Sequence, residues 1–281
     1  MADPISVTRD GHRTFFKWHR GRRRASDPVF TSRRILEGMA LGASVEVDLV
    51  VHGSNGFAVL HDHLSVARET TGAGPSAALT ADQLRRLHLR DNNGAPIADH
   101  VMLLEDLCAL LAATPPHPAA LLQLDFKEDQ GPLAAATVAA FAAAVTPVAA
   151  NMILSSGEAH SVRTLANATA GLRIGHDPCH DGALERLAQT RDFGGFVAQA
   201  VADAPKAEVI YLAYPLILAA ADAGFDMVAA FHAHARRIDA YTIKSADNTT
   251  LPIVQRLLAL KVDQITTDDA EGLAALLEAN P

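Results

Sequence analysis

The chain has 281 residues, of which 49% are hydrophobic and 20% charged, and its formal net charge is −8 at neutral pH. A single α/β barrel of about 250 residues would use nearly all of this length, so we predict one domain over residues 1–281. The acidic balance argues against general nucleic-acid binding.

The cysteines and the N-terminal segment bear on the cellular compartment. Cys108 and Cys179 are far apart in sequence and fit neither a disulfide framework nor a zinc motif. Residues 1–6 lack the basic and apolar regions of a signal peptide, and the apolar window 133–150 is alanine-rich, typical of a packed helix. We predict a cytoplasmic protein without a stable membrane anchor, and leave its oligomeric state open.

The first extended run, residues 14–18, leads into His19-Arg20-Gly21, where the glycine allows a sharp turn. His19 and Arg20 are therefore expected at the edge between a strand and a loop. Apolar residues at helical spacing predict a helix over 32–41.

The next strand, 44–50, alternates so that Glu46 and Asp48 share one face. A carboxylate buried without compensation costs several kcal/mol, on the order of 3–5 when an ion pair is broken, so a positive group is expected between these two. A divalent cation with oxygen ligands is the usual solution. Mg²⁺ or Ca²⁺ is favoured over zinc because no cysteine is nearby.

A second extended run, 57–60, follows the short turn at 53–56 and leads directly into His61-Asp62. So short a connection predicts an antiparallel β-hairpin. The hairpin would carry His61 back toward the carboxylates.

The rest of the chain alternates between extended and helical stretches. Residues 62–118 contain no clear barrel strand but predict a helix after Thr80, a turn at 91–94 and a helix near 103–113. Further strands are predicted at 121–126, 151–155, 171–175, 208–211, 238–243 and 264–266, with helices at 131–145 and 158–168. Eight strands without a GxGxxG loop favour a parallel (β/α)8 barrel over a dinucleotide-binding sheet.

In such a barrel the chemistry lies at the C-terminal ends of the strands. Asp125 and Lys127 end one strand and face the same way, so Asp125 is a third candidate metal ligand and Lys127 a positive partner for an anionic ligand. A cluster of arginines at 20–24 and 33–34 is consistent either with an anionic ligand or with a solvated loop.

Several motifs together carry a resemblance to a known family. His19-Arg20-Gly21, residues 42–48, and His61-Asp62 followed by 68–72 resemble the motifs of the glycerophosphodiester phosphodiesterases, which are TIM barrels. Residues 124–127, 241–243 and 263–268 resemble later motifs of the family in the same order. A more distant similarity links the chain to the spider-venom phospholipase D enzymes.

The resemblance implies a TIM barrel with a small inserted subdomain at 62–118 and a role for each motif residue. It makes His19 and His61 the general acid–base pair, in an order left open, and places Tyr241 at the substrate pocket. The metal would be held by Glu46, Asp48 and Asp125, and the phosphate by Arg20 and Lys127. The expected reaction is metal-dependent hydrolysis of a small glycerophosphodiester to an alcohol and a phosphomonoester, sn-glycerol 3-phosphate if the substrate is glycerol-based, within lipid and glycerol metabolism.

The chain departs from the family pattern mainly on the alcohol side. Residues 27–31 stand where the family usually has Pro-Glu-Asn-Thr, and Asp125 stands where it more often has Glu. Tyr241 takes the place of a Trp, and Lys244 takes the place of an Asn. A sugar-phosphate diester or a lysophospholipid-like substrate therefore remains open. So does a lyase that releases a cyclic phosphate. A non-catalytic phosphate-binding barrel is a further alternative, disfavoured because binding alone would not need two proton-transfer groups.

Overall fold

The computed structural model describes residues 3–127, 133–180 and 182–280. In chain order the strands are β1 (Ser6–Arg9), β2 (His12–Trp18), β3 (Ser44–His52), β4 (Gly56–Val59), β5 (His88–Arg90), β6 (Pro96–His100), β7 (Leu121–Phe126), β8 (Met152–Ser155), β9 (Arg173–His176), β10 (Val209–Ala213), β11 (Arg237–Ile243) and β12 (Gln264–Thr267). The helices are α1 (Ser32–Leu41), α2 (Ala81–Arg85), α3 (Leu104–Ala113), α4 (Ala135–Val145), α5 (Ala159–Ala168), α6 (Ala183–Thr190), α7 (Phe193–Asp203), α8 (Tyr214–Asp222), α9 (Met227–His232), α10 (Leu251–Ala259) and α11 (Ala270–Ala279).

The chain divides into two compact units, which we describe separately. The first unit comprises Met1–His19, Arg23–Ala25 and Ile174–Pro281, and the second comprises Arg20–Arg22 and Ser26–Arg173. The predicted assignment of the whole chain to one domain remains a prediction.

In the second unit, β7 lies between β3 and β8, and all three strands are parallel. β4 runs antiparallel to β3, with Leu49 opposite Val59, which confirms the predicted hairpin before His61. Asp48, Asp125 and Ser155 are in register on the three parallel strands, so their side chains project from the same face of the sheet.

In the first unit, five strands are parallel in the order β9, β10, β11, β12 and β2. These five strands and the three of the second unit, each set parallel within its own unit, are the eight strands expected from the sequence, counted among the described residues. β1 was not expected. It pairs with β2 across a tight turn at Asp10 and Gly11, which both have positive φ as in a type I′ hairpin turn.

The segment 62–118 matches its prediction in part. α2 begins after Thr80, which forms a capping box with Gln83. β5 and β6, missed from the sequence, form a separate two-stranded sheet around the predicted turn at 91–94. The designation of this segment as an inserted subdomain remains a prediction.

Two points concern the helices. α4 begins at Ala135, and the predicted start at Gly131 lies outside the described residues. Across the described ranges, none of the helices combines the length and the apolar character that crossing a membrane requires.

The strand β3 is buried on both faces, as is usual for strands of a parallel sheet covered by helices. Val45, Val47 and Leu49 are fully buried, and on the opposite face Asp48 is fully buried and Glu46 nearly so. Burial of two charges on one strand means that the fold must supply compensating groups.

The turn after β2 depends on a glycine. Gly21 has a φ of +70°, and a Cβ atom added there would lie 2.9 Å from Cγ1 of the buried Ile35. An L-residue at this position would therefore meet both an unfavourable backbone conformation and a steric contact.

We expect Gly21→Ala to destabilise the protein more than Gly94→Ala. Gly94 also has positive φ (+83°) but has nothing within 4 Å of an added Cβ, so its substitution isolates the backbone penalty of about 1–2 kcal/mol. Contact with Ile35 adds about 1–3 kcal/mol to the penalty at Gly21. Urea unfolding of both variants measures the difference. Equal losses would show that Ile35 moves aside at no cost.

Candidate active site

The predicted turn at His19-Arg20-Gly21 aims Arg20 at two carboxylates of β3. Arg20 itself has a left-handed backbone, with a φ of +55°, which is uncommon for a residue with a side chain and is often found at functional sites. Its backbone N–H donates a hydrogen bond to Glu46 Oε2 (2.6 Å), and its Nε lies 3.1 Å from Asp48 Oδ2. Both the backbone and the side chain of Arg20 thus contact the carboxylates of β3.

Three carboxylates, those of Glu46, Asp48 and Asp125, form a compact cluster in the second unit. One oxygen of each lies within 4.8 Å of the others. Asp48 is fully buried and Glu46 nearly so, while the Asp125 side chain is 17% exposed. The register that places Asp48 opposite Asp125 on β7 therefore creates strong mutual repulsion.

Lys127 lies within this cluster. Its Nζ is 2.9 Å from Asp48 Oδ1 and also donates a hydrogen bond to Asp125, while its backbone N–H bonds to the carbonyl of Leu49. Burial by itself lowers the pKa of Lys127, but the charges of Asp125, Asp48 and Glu46 outweigh it and hold the pKa well above its usual range. Lys127 is thus a permanent cation.

The cluster contains more carboxylates than cations among the residues described above. Three carboxylates lie beside two cations, Arg20 and Lys127, so these five groups together carry one net negative charge if all are ionised. Hard oxygen donors with residual negative charge suit a divalent cation such as Mg²⁺ or Ca²⁺. The donor set therefore fits the metal that the sequence predicts, without distinguishing the two ions.

His61 also belongs to the second unit and directly follows the hairpin strand β4. Its Nδ1 lies 2.7 Å from Asp62 Oδ1. The backbone N–H groups of His61 and Asp62 both donate to Glu69 Oε2, at 2.9 and 3.0 Å. Burial raises the pKa of Glu69, and the two hydrogen bonds oppose this shift. The sequence analysis gave Glu69 no role, although it lies in the motif at 68–72.

His19 is paired in the same way in the first unit. Its Nδ1 lies 2.5 Å from Oδ1 of Asp268, which follows β12. The sequence analysis noted Asp268 as part of a closing-strand motif but did not connect it with His19. Each candidate histidine thus has a carboxylate at Nδ1, which orients the ring and directs Nε2 away from that partner.

Tyr241 lies in β11, also in the first unit. Its hydroxyl interacts with Asp177 and Cys179, and burial, with the charges of these neighbours, raises the pKa of Tyr241. Burial likewise raises the pKa of the Cys179 thiol to about 12, so that it is neutral at physiological pH. The place of Tyr241 in a substrate pocket remains a prediction.

Much of the arginine cluster is engaged in ion pairs. Arg23 and Arg24 both pair with Glu271 in the first unit, at 2.6 Å each. In the second unit Arg34 pairs with Asp27 and Glu37. These contacts favour a structural role for the three arginines over a general anion-binding surface.

Of the predicted site residues, the structure brings five together: Arg20, Glu46, Asp48, Asp125 and Lys127. His61 lies in the same unit, while His19 and Tyr241 belong to the other. The sequence analysis gave no role to residues 62, 69 and 268, whose contacts with the candidate histidines and their backbone are seen in the structure.

Comparison with known proteins identifies the family. The sequence profile of the Glycerophosphoryl diester phosphodiesterase family matches residues 31–271. No curated protein sequence matches the chain significantly.

Solved structures match nearly the whole chain. A protein of Agrobacterium tumefaciens assigned as a glycerophosphoryl diester phosphodiesterase is 21% identical, with a TM-score of 0.71 over 95% of this chain and 98% of its own. A protein of Silicibacter pomeroyi with the same assignment is 19% identical, with a TM-score of 0.73 over 99% of this chain and 95% of its own. A phosphodiesterase of Oleispira antarctica, solved in complex with the product sn-glycerol-3-phosphate, is 15% identical. Its TM-score is 0.64 over 94% of this chain and 96% of its own.

At these identities the structural matches concern the fold. With the eight parallel strands, they confirm the predicted TIM-barrel fold class. The profile match over most of the sequence adds the chemistry, that of a phosphoric diester hydrolase. The chain therefore belongs to the glycerophosphoryl diester phosphodiesterase family.

Proposed function

We propose that the protein hydrolyses small glycerophosphodiesters in a reaction that depends on a divalent cation. The observation that carries the proposal is the cluster of Glu46, Asp48 and Asp125 with Arg20 and Lys127 among the carboxylates. Such a mixture of hard anionic donors and fixed cations suits a phosphodiester, which has negatively charged oxygens and needs more positive charge around it as bonds to phosphorus change.

The three carboxylates are the proposed ligands of Mg²⁺ or Ca²⁺. When bound, the cation would polarise a phosphoryl oxygen and lower the pKa of a coordinated hydroxyl or water. Arg20 and Lys127 would balance charge on the remaining phosphoryl oxygens. Lys127 has three N–H donors. One donates to Asp125, and Nζ lies 2.9 Å from Asp48 Oδ1, so in this proposal a remaining donor serves the phosphate.

His19 and His61 are the proposed proton-transfer groups. With a carboxylate at Nδ1, each ring can present Nε2 as a base when neutral or as an acid when protonated. One histidine would take the proton of the attacking oxygen and the other would give a proton to the departing alcohol. Which residue has which role is left open.

The overall reaction forms one P–O bond and breaks another. If water attacks, the products are an alcohol and a phosphomonoester, which is sn-glycerol 3-phosphate for a glycerol-based substrate. If a neighbouring hydroxyl of the substrate attacks instead, the first product is a cyclic phosphate, as expected for a lyase. Both routes use the same two proton transfers.

The alcohol side of the substrate is less defined. Tyr241 is the proposed pocket residue, and Lys244 follows the same strand. A glycerophosphodiester of lipid and glycerol metabolism is the first choice, with sugar-phosphate diesters and lysophospholipid-like compounds as alternatives. A small-molecule partner rather than nucleic acid, and a cytoplasmic location, remain predictions from the sequence.

Removal of the cation should abolish turnover, and removal of the His19 imidazole should lower it strongly. We expect EDTA to stop hydrolysis of glycerophosphocholine, and Mg²⁺ or Ca²⁺ to restore it. His19→Ala should lower kcat by about 10²–10⁴-fold, the usual contribution of a general acid or base. His160→Ala is the matched control, since His160 is exposed on α5 in the second unit.

Turnover is measured on glycerophosphocholine and a panel of sugar-phosphate diesters, with the products identified by phosphorus NMR. A cyclic phosphate as the end product would assign the enzyme as a lyase. Absence of turnover on every diester, despite stoichiometric binding of a metal, would favour a non-catalytic phosphate-binding barrel.

Glu69 should support His61 through hydrogen bonding rather than through charge. Glu69→Ala leaves two backbone N–H groups without their acceptor, which costs about 1–3 kcal/mol, and should lower kcat/KM by displacing His61. Glu69→Gln keeps a carbonyl acceptor of the same length and should retain most of the activity. Steady-state kinetics and urea unfolding of both variants test this. If the two variants lose activity equally, the charge of Glu69 is required and the explanation is wrong.

A further inference from the structure

Ser155 lies beside the candidate metal ligands but has no part in the mechanism above. It is the last residue of β8 and is fully buried. Its hydroxyl donates a hydrogen bond to Asp125 Oδ1 (2.7 Å) and accepts one from Gln123 Nε2 (2.8 Å). The three side chains form a short chain of hydrogen bonds that ends on a carboxylate of the cluster.

The direction of these bonds is fixed by chemistry. An ionised carboxylate can only accept, so the single hydroxyl proton of Ser155 points to Asp125. The hydroxyl oxygen is then left as an acceptor, which requires Gln123 to present its NH₂ group. Gln123 lies two residues before Asp125 on β7, so both side chains project from the same face. The chain of hydrogen bonds therefore runs in one direction, from Gln123 through Ser155 to Asp125.

Asp125 needs this support more than its neighbours do. Its side chain is 17% exposed, whereas that of Asp48 is fully buried, so packing confines Asp125 less. Its Oδ2 contacts Lys127, and its Oδ1 takes the bond from Ser155. Together these contacts fix both oxygens of the carboxylate and therefore its rotamer.

We propose that Ser155 is a positioning residue that holds Asp125 in place as the third oxygen donor for the divalent cation. Gln123 in turn orients Ser155. The inference rests on the proposed function, because it takes Glu46, Asp48 and Asp125 as the cation ligands. It adds a residue that would act through Asp125.

The test compares cation affinity among variants of the full chain. Ser155→Ala removes the hydrogen bond, and we expect the dissociation constant for Mg²⁺ or Ca²⁺, measured by titration calorimetry with the metal alone, to rise about 10-fold or more. The control is Ser44→Ala, in a neighbouring strand of the same unit. Ser44 is also buried, but within the described residues its hydroxyl has no hydrogen-bond partner, so this variant should bind the cation as the parent does.

A second pair of variants separates positioning from folding. Ser155→Thr keeps the hydroxyl, and Ser155→Val has the shape of threonine without the hydroxyl. If the Thr variant binds the cation about as tightly as the parent and the Val variant binds it more weakly, the hydrogen bond is responsible for the effect. This comparison also tests the proposal if the Ser155→Ala variant does not fold. A kinetic readout should agree: the cation concentration giving half-maximal rate rises, while kcat at saturating cation changes little.

The outcomes distinguish this inference from the proposed function. If the parent binds no divalent cation, the proposed metal site itself is wrong. If the parent binds one and the Ser155→Ala and Ser155→Val variants bind it equally well, the metal site stands and the positioning role of Ser155 is overturned. A loss of stability without a change in cation affinity also overturns it, since that is the result of a purely structural hydrogen bond.

Discussion

The structure of the second unit depends on how it accommodates three carboxylates on neighbouring strands. Asp48 and Asp125 face each other in register, and Glu46 lies two residues before Asp48. An uncompensated buried charge costs several kcal/mol, on the order of 3–5 when its partner is removed. The left-handed backbone of Arg20 and the position of Lys127 at the end of β7 both bring positive groups to these charges. The unusual backbone of Arg20 and the position of Lys127 are thus both explained by the need to compensate the buried carboxylates.

A buried ion pair in the first unit makes a useful contrast. Lys17 lies 3.2 Å from Asp239 and 4.2 Å from the centre of the Tyr211 ring, and Thr266 and Gln264 donate hydrogen bonds to Asp239. Asp239 is thus compensated by a lysine and two hydrogen bonds. The second unit instead brings three carboxylates together, which is why that cluster, rather than Asp239, is the candidate metal site.

Both candidate histidines have a carboxylate at Nδ1, but the carboxylates come from different parts of the chain. His61 takes its carboxylate from the adjacent residue Asp62, and Glu69 fixes the backbone of both. His19 takes its carboxylate from Asp268, 249 residues later in the chain. In both cases the carboxylate contacts Nδ1, so Nε2 is the nitrogen that would exchange a proton in the proposed mechanism. A pair of histidines oriented in this way is consistent with the acid and base steps of phosphodiester cleavage.

Much of this protein could be predicted from the sequence because the relevant signals are local. Strand periodicity predicted the eight parallel strands, and the alternation of 44–50 placed Glu46 and Asp48 on one face. The short connection at 53–56 predicted the hairpin that carries His61. The motifs alone sufficed to indicate the family.

The remaining features required the tertiary structure. The pairing of His19 with Asp268, and the engagement of Arg23 and Arg24 by Glu271, join residues far apart in sequence, so no local pattern reveals them. The bond from Ser155 to Asp125 depends on the register between β7 and β8, which periodicity does not determine. The sequence thus determined the fold class, the family and a set of candidate site residues, and the fold decided which neighbours hold those residues in place, because a hydrogen bond depends on distances of a few tenths of an ångström that only packing sets.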